Sequence, residues 1–313
     1  MRIIALGVLF WGVLLTGGPA SAEVAGAVEP LPVTEIAEGI FVAVGPHELA
    51  TPANADHISN AGFIIGGESV AVIDTGGSYI IGRRLLASVK AKTDKPIRYV
   101  IDTHDHPDHI FGNAAFLDTG AQIVGHRNLP DALAARAEVY LKVTRDLIGD
   151  AAFAGTRAVA PTLLVAGRTT LDLGKRRLLL EAWPPAHTDT DLTILDEQTS
   201  TWFLGDLLFS GHIPAVDGSL KGWLAAIVEL RTRPAERVVP GHGPAVMGWP
   251  AALEPMARYL QVLADDVRRD IAAGRTMQAT AADAAAAERD QWALFEDFNA
   301  RNAIAAFHEL EWE

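Results

Sequence analysis

Apolar positions along the chain fall mostly into short, β-branched runs fenced by glycine. The runs at 39–45 (GIFVAVG), 61–67 (AGFIIGG) and 69–77 (SVAVIDTGG) predict strands, as does 96–103 (PIRYVIDT). Between them, residues 80–93 (IIGRRLLASVKAKT) have helical spacing. A second series predicts strands at 121–125, 169–174, 176–183, 191–197, 200–206 and 235–241, with helices near 129–150, 219–231 and 250–274. Two β-rich halves therefore alternate with helices. The C-terminal end differs: an alanine-rich stretch, 279–290, leads into 294–311, where phenylalanines and leucines recur at helical spacing and predict a packing helix. The chain shows no internal repeat and no clear linker.

The N-terminus follows another pattern. Met1 and Arg2 form a short positive end, Ile3 to Leu15 an apolar run, and Ala20-Ser21-Ala22 a small-residue cleavage site before Glu23. The run is shorter than the roughly 20 residues a membrane span needs. The expectation is a signal peptide at 1–22 and a mature, exported, periplasmic protein with no membrane span after cleavage.

At 313 residues and 49% hydrophobic composition, the chain can bury a substantial core. Its formal charge of −13 becomes one unit more negative once Arg2 is removed, a balance that disfavours nucleic acid and anionic membranes as partners. There is no cysteine, hence no disulfide, no thiolate nucleophile and no lipoprotein anchor.

The chemistry concentrates at Tyr99–Asn113, YVIDTHDHPDHIFGN. In extended chain, His104 and His106 point the same way and Asp105 points away. Pro107 ends the strand and starts a helix near Asp108, so Asp108 and His109 face the same cavity from another direction. Neutral imidazoles and carboxylates are what zinc and related divalent ions prefer, and this one segment offers ligands to two ions. Further ligands must come from other strand ends. His187 in WPPAHTDTD, Asp206 closing TWFLGD and His242 in VVPGHG each follow an apolar run and complete the set.

The ordered series His104-x-His106-x-Asp108-His109, His187, Asp206 and His242, with VIDTGG upstream, resembles the metallo-β-lactamase-fold hydrolase superfamily over about residues 34–245. The resemblance implies an α+β αββα sandwich of two mixed β-sheets flanked by helices, with the metal site at one edge. The expected domain spans 23–274, followed by a C-terminal helical extension at 275–313. Carried over to this chain, the resemblance assigns one metal to His104, His106 and His187 and the other to Asp108, His109 and His242, with Asp206 bridging. Asp108 and Asp206 are the expected catalytic carboxylates, and two Zn²⁺ the expected cofactors, with Fe or Mn as substitutes. Two divalent ions, two carboxylates and a bridging hydroxide leave about one positive charge to polarise a small-molecule carbonyl substrate.

Longer stretches, HPDHIFGNAAF, AHTDTDLTILDE, HIPAVDGSLKGWL and RNAIAAFHELEWE, also resemble the periplasmic quinoprotein relay system zinc metallohydrolases. That likeness implies a functional link to a PQQ-dependent dehydrogenase. Departures narrow the chemistry. Aspartate at the bridging position argues against β-lactam hydrolysis, and His106 argues against the diiron oxygen-reducing relatives, which carry glutamate there. A glyoxalase II-like thioesterase shares all the ligands, although export and a different-looking tail weaken that assignment.

Asp74 in VIDTGG resembles the superfamily's buried aspartate that supports the metal loop. His57 and Asn60 are candidates to line the pocket, and His212, Asp217 and Lys221 lie where substrate contacts are expected. His47, His126 and His308 read as structural. Two functions follow: a metal-dependent hydrolase of an ester, thioester or related acyl substrate, or an iron-dependent protein that oxidises a sulfur compound or serves a quinoprotein relay.

Overall fold

The computed structural model describes residues 28–313, so the expected signal peptide at 1–22 lies outside the described residues. The first sheet contains β1 (Thr34–Ala37), β2 (Ile40–Ala43), β3 (Ala61–Ile65), β4 (Val70–Ile73), β5 (Ile97–Ile101), β6 (Gln122–His126) and β7 (Leu163–Val165), in that spatial order. Pairing is antiparallel from β1 to β4 and parallel from β4 to β7. The second sheet is built from β8 (Arg168–Asp172), β9 (Arg177–Ala182), β10 (Leu192–Asp196), β11 (Thr201–Phe209), β12 (Arg237–His242) and β13 (Met247–Gly248). Only its β11–β12 pair is parallel.

Strand periodicity explains how the layers stack. In β4, Ala71 and Ile73 face the second sheet and join Ile64, Ile101 and Val124 against Leu178, Leu180, Ile194 and Phe203. Val70 and Val72 face the other way, beneath Ile81, Leu85 and Val89 of helix α1 (Tyr79–Lys92). The outer face of the second sheet carries Trp202, Leu204 and Leu208 and is covered by α4 (Leu220–Arg231) and α5 (Glu254–Ala272). The result is an αββα sandwich.

The C-terminal segment forms α6 (Met277–Asp283) and α7 (Phe295–Leu310). Ala303, Ala306, Phe307 and Leu310 of α7 share the core of α4 and α5. Among the described residues, no helix is long and apolar enough to cross a membrane.

The sequence patterns miss three short strands, β1, β7 and β13, whose two to four residues are too few to display a period. The helix expected at 129–150 runs as α3 (Leu129–Phe153), with non-helical backbone at Gly149. Two differences bear on the site. β5 stops at Ile101, so His104 and His106 sit in an irregular turn before the short helix α2 (Pro107–Ile110), not on an extended strand. Asp206 does not close its strand, because β11 continues to Phe209.

A buried ion pair ties the sheets together. Arg176 donates from Nε to Asp196 Oδ1 at 2.8 Å and from Nη2 to Oδ2 at 3.0 Å. Its Nη1 reaches the carbonyls of Glu38 and Ile65 in the first sheet's turns, both at 2.9 Å. Arg176→Ala removes one partner of a buried pair and orphans two carbonyls, so it should cost about 3–5 kcal/mol. A urea titration would show this as a lowered midpoint at unchanged slope; a midpoint like that of the parent chain would contradict it.

Candidate metal centre

One edge of the sandwich gathers side chains from four places: the turn after β5, the loop between β9 and β10, β11, and the end of β12. His104, His106, His187 and Asp206 form one group and Asp108, His109 and His242 a second, the ligand atoms within each lying no more than 4.8 Å apart. Asp206 lies between them. Its Oδ1 is 3.2 Å from His109 Nε2, and its Oδ2 is 3.3, 3.5 and 3.7 Å from Nε2 of His187, His242 and His104.

Backbone freedom makes room for this carboxylate. Gly205 has φ of +52°, and a Cβ there would meet Thr103 at 2.7 Å. A Cβ on Gly241 of the neighbouring strand would stand 1.8 Å from Asp206 Oδ1.

Each imidazole is anchored by its outer nitrogen, which fixes the tautomer and turns the other nitrogen inward. His109 Nδ1 donates to Asp74 Oδ2 at 2.8 Å, and His104 Nδ1 lies 3.0 Å from Thr103 Oγ1, itself a donor to Asp74 Oδ2 at 2.8 Å. His187 Nδ1 donates to the Ala215 carbonyl at 2.7 Å and His242 Nδ1 to that of Ile58 at 3.1 Å. His106 is turned the other way: Nε2 donates to Asp217 Oδ2 at 3.1 Å and Nδ1 faces the centre. Asp74 holds φ of +54°, left-handed backbone at the residue on which two of these anchors depend.

The inner atoms fit divalent cations. His104 Nε2, His109 Nε2 and Asp206 Oδ1 are buried with no hydrogen-bond partner among the described residues. His187 Nε2 and His106 Nδ1 are 3.0 Å apart, although the anchors on their far sides leave each with a lone pair. Lone pairs facing each other repel, and a shared cation removes the repulsion. Nitrogen and carboxylate donors are the set that zinc and similar ions take.

The electrostatics divide the histidines. Burial holds His104 well below the usual imidazole range and His187 down at about 4, so both are neutral. Burial alone would also lower His109 and His242. The carboxylates beside them prevail, Asp206 first, raising His109 well above its ordinary value and His242 to about 9. Burial by itself would raise Asp206, but His109 and then His242 hold its carboxyl well below the usual range.

The remaining candidates separate clearly. Asp74 supports the metal loop, as described above. Asn60 braces His242: its Nδ2 donates to the Pro240 carbonyl at 2.9 Å and to that of Gly243 at 3.2 Å. His212 lines the pocket with its ring centroid 4.9 Å from that of His242. Two expectations are corrected. His57 lies towards α1, where burial and then the Arg84 charge hold its pKa at about 4, and does not line the pocket. Lys221 faces Glu313 at 3.7 Å, because it starts α4 on the side turned to the C-terminus. His47 packs edge-on beside His212, with ring centroids 6.0 Å apart, and does not line the pocket. His126 accepts from the Asn128 backbone, and His308 is exposed beside Glu311.

Above the clustered donors is a cavity of about 220 Å³ whose walls include Leu49, Ile58, Tyr140, Val143, Phe209 and Phe298, with Glu48 and Arg301 also lining it. Sequence patterns give no sign of the Ala215 and Ile58 carbonyls, which any residue supplies. Nor do they single out Thr103 or the α7 residues Phe298 and Arg301.

The family model described as the metallo-beta-lactamase superfamily matches residues 55–242 of this chain, a span containing all seven clustered side chains. The chain belongs to the metallo-beta-lactamase superfamily. The seven clustered donors are thus a candidate metal site inside that family's domain. Among solved structures it is similar to the metallo-beta-lactamase from Pontibacter korlensis, at 22% identity and a TM-score of 0.56 over 74% of this chain and 99% of that one. It is also similar to the sec-alkylsulfatase Pisa1 from Pseudomonas sp., at 16% identity and a TM-score of 0.68 over 89% of this chain and 50% of that one. These likenesses show the superfamily's fold. A 50-residue stretch, 16% of the chain, is 44% identical to a linear primary-alkylsulfatase of Pseudomonas sp. (strain ATCC 19151) and spans only 10% of that relative's length.

The raised pKa of His242 has a measurable consequence. In the cation-free site His242 is protonated at pH 7, so an ion binding through its Nε2 must expel that proton. Zinc affinity should therefore climb about tenfold or more per pH unit between pH 7 and 9. Calorimetry in buffers of different ionisation enthalpy would register the released proton, and the release should diminish in His242→Ala. Affinity that is flat across this range would refute the expectation.

Proposed function

We propose that this chain is an exported dinuclear zinc hydrolase that opens an ester, thioester or related acyl bond in a small-molecule substrate. The observation that supports this most is the position of Asp206, a buried carboxylate whose oxygens face both groups of donors. On this reading His104, His106 and His187 would hold one ion and Asp108, His109 and His242 the other, with the Asp206 carboxylate available to both. When bound, two such ions would lower the pKa of a water towards neutrality and polarise the bond under attack.

The chain's own residues do the rest. Phe209 and Ile58 line the cavity beside the donors, and Tyr140, Val143 and Phe298 offer an apolar wall to the substrate's body. The buried Asp74 carboxylate keeps His109, and through Thr103 His104, in the tautomer whose lone pair faces inward.

A sulfate ester of an apolar alcohol is the second reading, favoured by the likeness to alkylsulfatases in both sequence and fold and by the apolar wall. The likeness to the quinoprotein relay group motivates a periplasmic location and a functional link to a PQQ-dependent dehydrogenase. It also motivates the alternative of an iron-dependent protein oxidising a sulfur compound. Metal analysis of the purified protein, with acyl ester, thioester, alkyl sulfate and lactam panels, separates these readings. Two zincs with turnover of one ester class support the hydrolase; iron with oxygen consumption would replace it. Mass spectrometry of the natively expressed chain should find Glu23 at its N-terminus, and an intact Met1 would refute export.

Asp206→Asn keeps the size of the side chain and removes the charge that holds two cations close. Zinc content should fall below two per chain, and turnover of the panel substrate by about 10²-fold or more. Thermal unfolding should remain cooperative. Two retained zincs with near-normal turnover would make this aspartate a bystander.

A further inference from the structure

The anchors of His187 and His106 share a peculiarity: both lie on the irregular loop between β11 and α4. Ala215 supplies the carbonyl for His187 Nδ1, and Asp217 the carboxylate for His106 Nε2. The Asp217 backbone N–H also donates to the His187 carbonyl at 3.1 Å. A loop without ladder hydrogen bonds cannot fix two imidazoles within tenths of an ångström unless something else holds it.

That hold comes from the C-terminal segment. Ala293 pairs with the start of the loop, its N–H donating to the Gly211 carbonyl at 2.8 Å and its carbonyl accepting from Ile213 at 3.1 Å. Asn302 of α7 is fully buried and grips the middle: Oδ1 accepts from Val216 N–H at 2.9 Å, and Nδ2 donates to the Pro214 carbonyl at 2.6 Å and to Tyr259 Oη at 2.9 Å. Ala215 lies between the two residues so held. Next to Asn302 on the helix, Arg301 Nη2 donates to Asp217 Oδ1 at 3.0 Å, the oxygen not used by His106. Glu309 closes the far end, accepting from Ser219 Oγ at 2.6 Å and Leu220 N–H at 2.7 Å. Every stretch of the loop is thus bonded to residues 293–309.

We propose that α7 is a positioning element of the metal centre, with Asn302 and Arg301 setting His187 and His106 and thereby the affinity of the His104–His106–His187 half for its ion. This rests on the dinuclear reading above. The other half takes its anchors elsewhere, from Asp74 and Ile58, so the effect of α7 should be confined to one ion.

The experiment measures zinc affinity by chelator competition on the full chain, alongside thermal unfolding of the metal-free protein. Arg301 is more than half exposed, so Arg301→Ala should unfold at the parent temperature yet bind one ion several-fold more weakly. Arg301→Lys, which keeps a cation beside Asp217, should recover most of that affinity. Asn302→Ala should weaken the same ion by about 10- to 100-fold, the range typical of groups that orient metal ligands; if it fails to fold, the Arg301 variants decide. The affected half is assigned by pairing. In His242→Ala the remaining strong ion should respond to Arg301→Ala, and in His187→Ala it should not. Equal affinities in the parent chain and Arg301→Ala, or equal responses in both backgrounds, would overturn the proposal. A parent chain that binds no zinc at all would overturn the dinuclear reading first and this inference with it.

Discussion

Five imidazoles and two carboxylates crowd one edge of this molecule with their ligand atoms turned inward, an arrangement that needs positive charge between them, from cations or from protons on His109 and His242. Holding it requires an outward anchor for each ring, and the anchors come from widely separated parts of the chain: Asp74 after β4, Thr103 after β5, Ile58 before β3, and Ala215 and Asp217 after β11. Two sheets must therefore be locked in one relative position. The apolar interior between them does this over most of the interface, and Arg176 does it at the far end. Strain collects where the demand is greatest, in the left-handed backbone of Asp74 and the bulge at Gly205 that admits Asp206.

Much of this was legible in the chain itself, for reasons that differ by element. Strand 70–73 announces itself because burial on both faces demands a continuous apolar, largely β-branched run. The seven clustered donors were legible because polar residues at strand ends have little structural reason to be there. The geometry that joins them was less so. His104 and His106 converge, but through an irregular turn whose shape is set by Asp74 and Thr103, not by strand alternation. Asp206 lies within its strand, because the bulge that aims it leaves no trace in an apolar run. His57 and Lys221 carry the right chemistry, and only tertiary packing turns them away from the cavity. Backbone carbonyls are invisible to any reading of side chains, yet two of the five anchors are carbonyls.

The two halves of the centre differ in what supports them. His109 and His242 are fixed by the sandwich, through Asp74 at the end of β4 and through the Ile58 carbonyl, whose loop Asn60 fastens to the turn around His242. His106 and His187 are fixed by a loop that the C-terminal helix holds from outside. The same helix lends Phe298 and Arg301 to the cavity wall. One element thus meets both the cavity wall and the loop that anchors His106 and His187. Changes in α7 that reshape the wall will also move the loop, because Arg301 and Asn302 are neighbours on one turn of one helix. On the proposed reading, substrate preference and the affinity of that half of the site would therefore vary together.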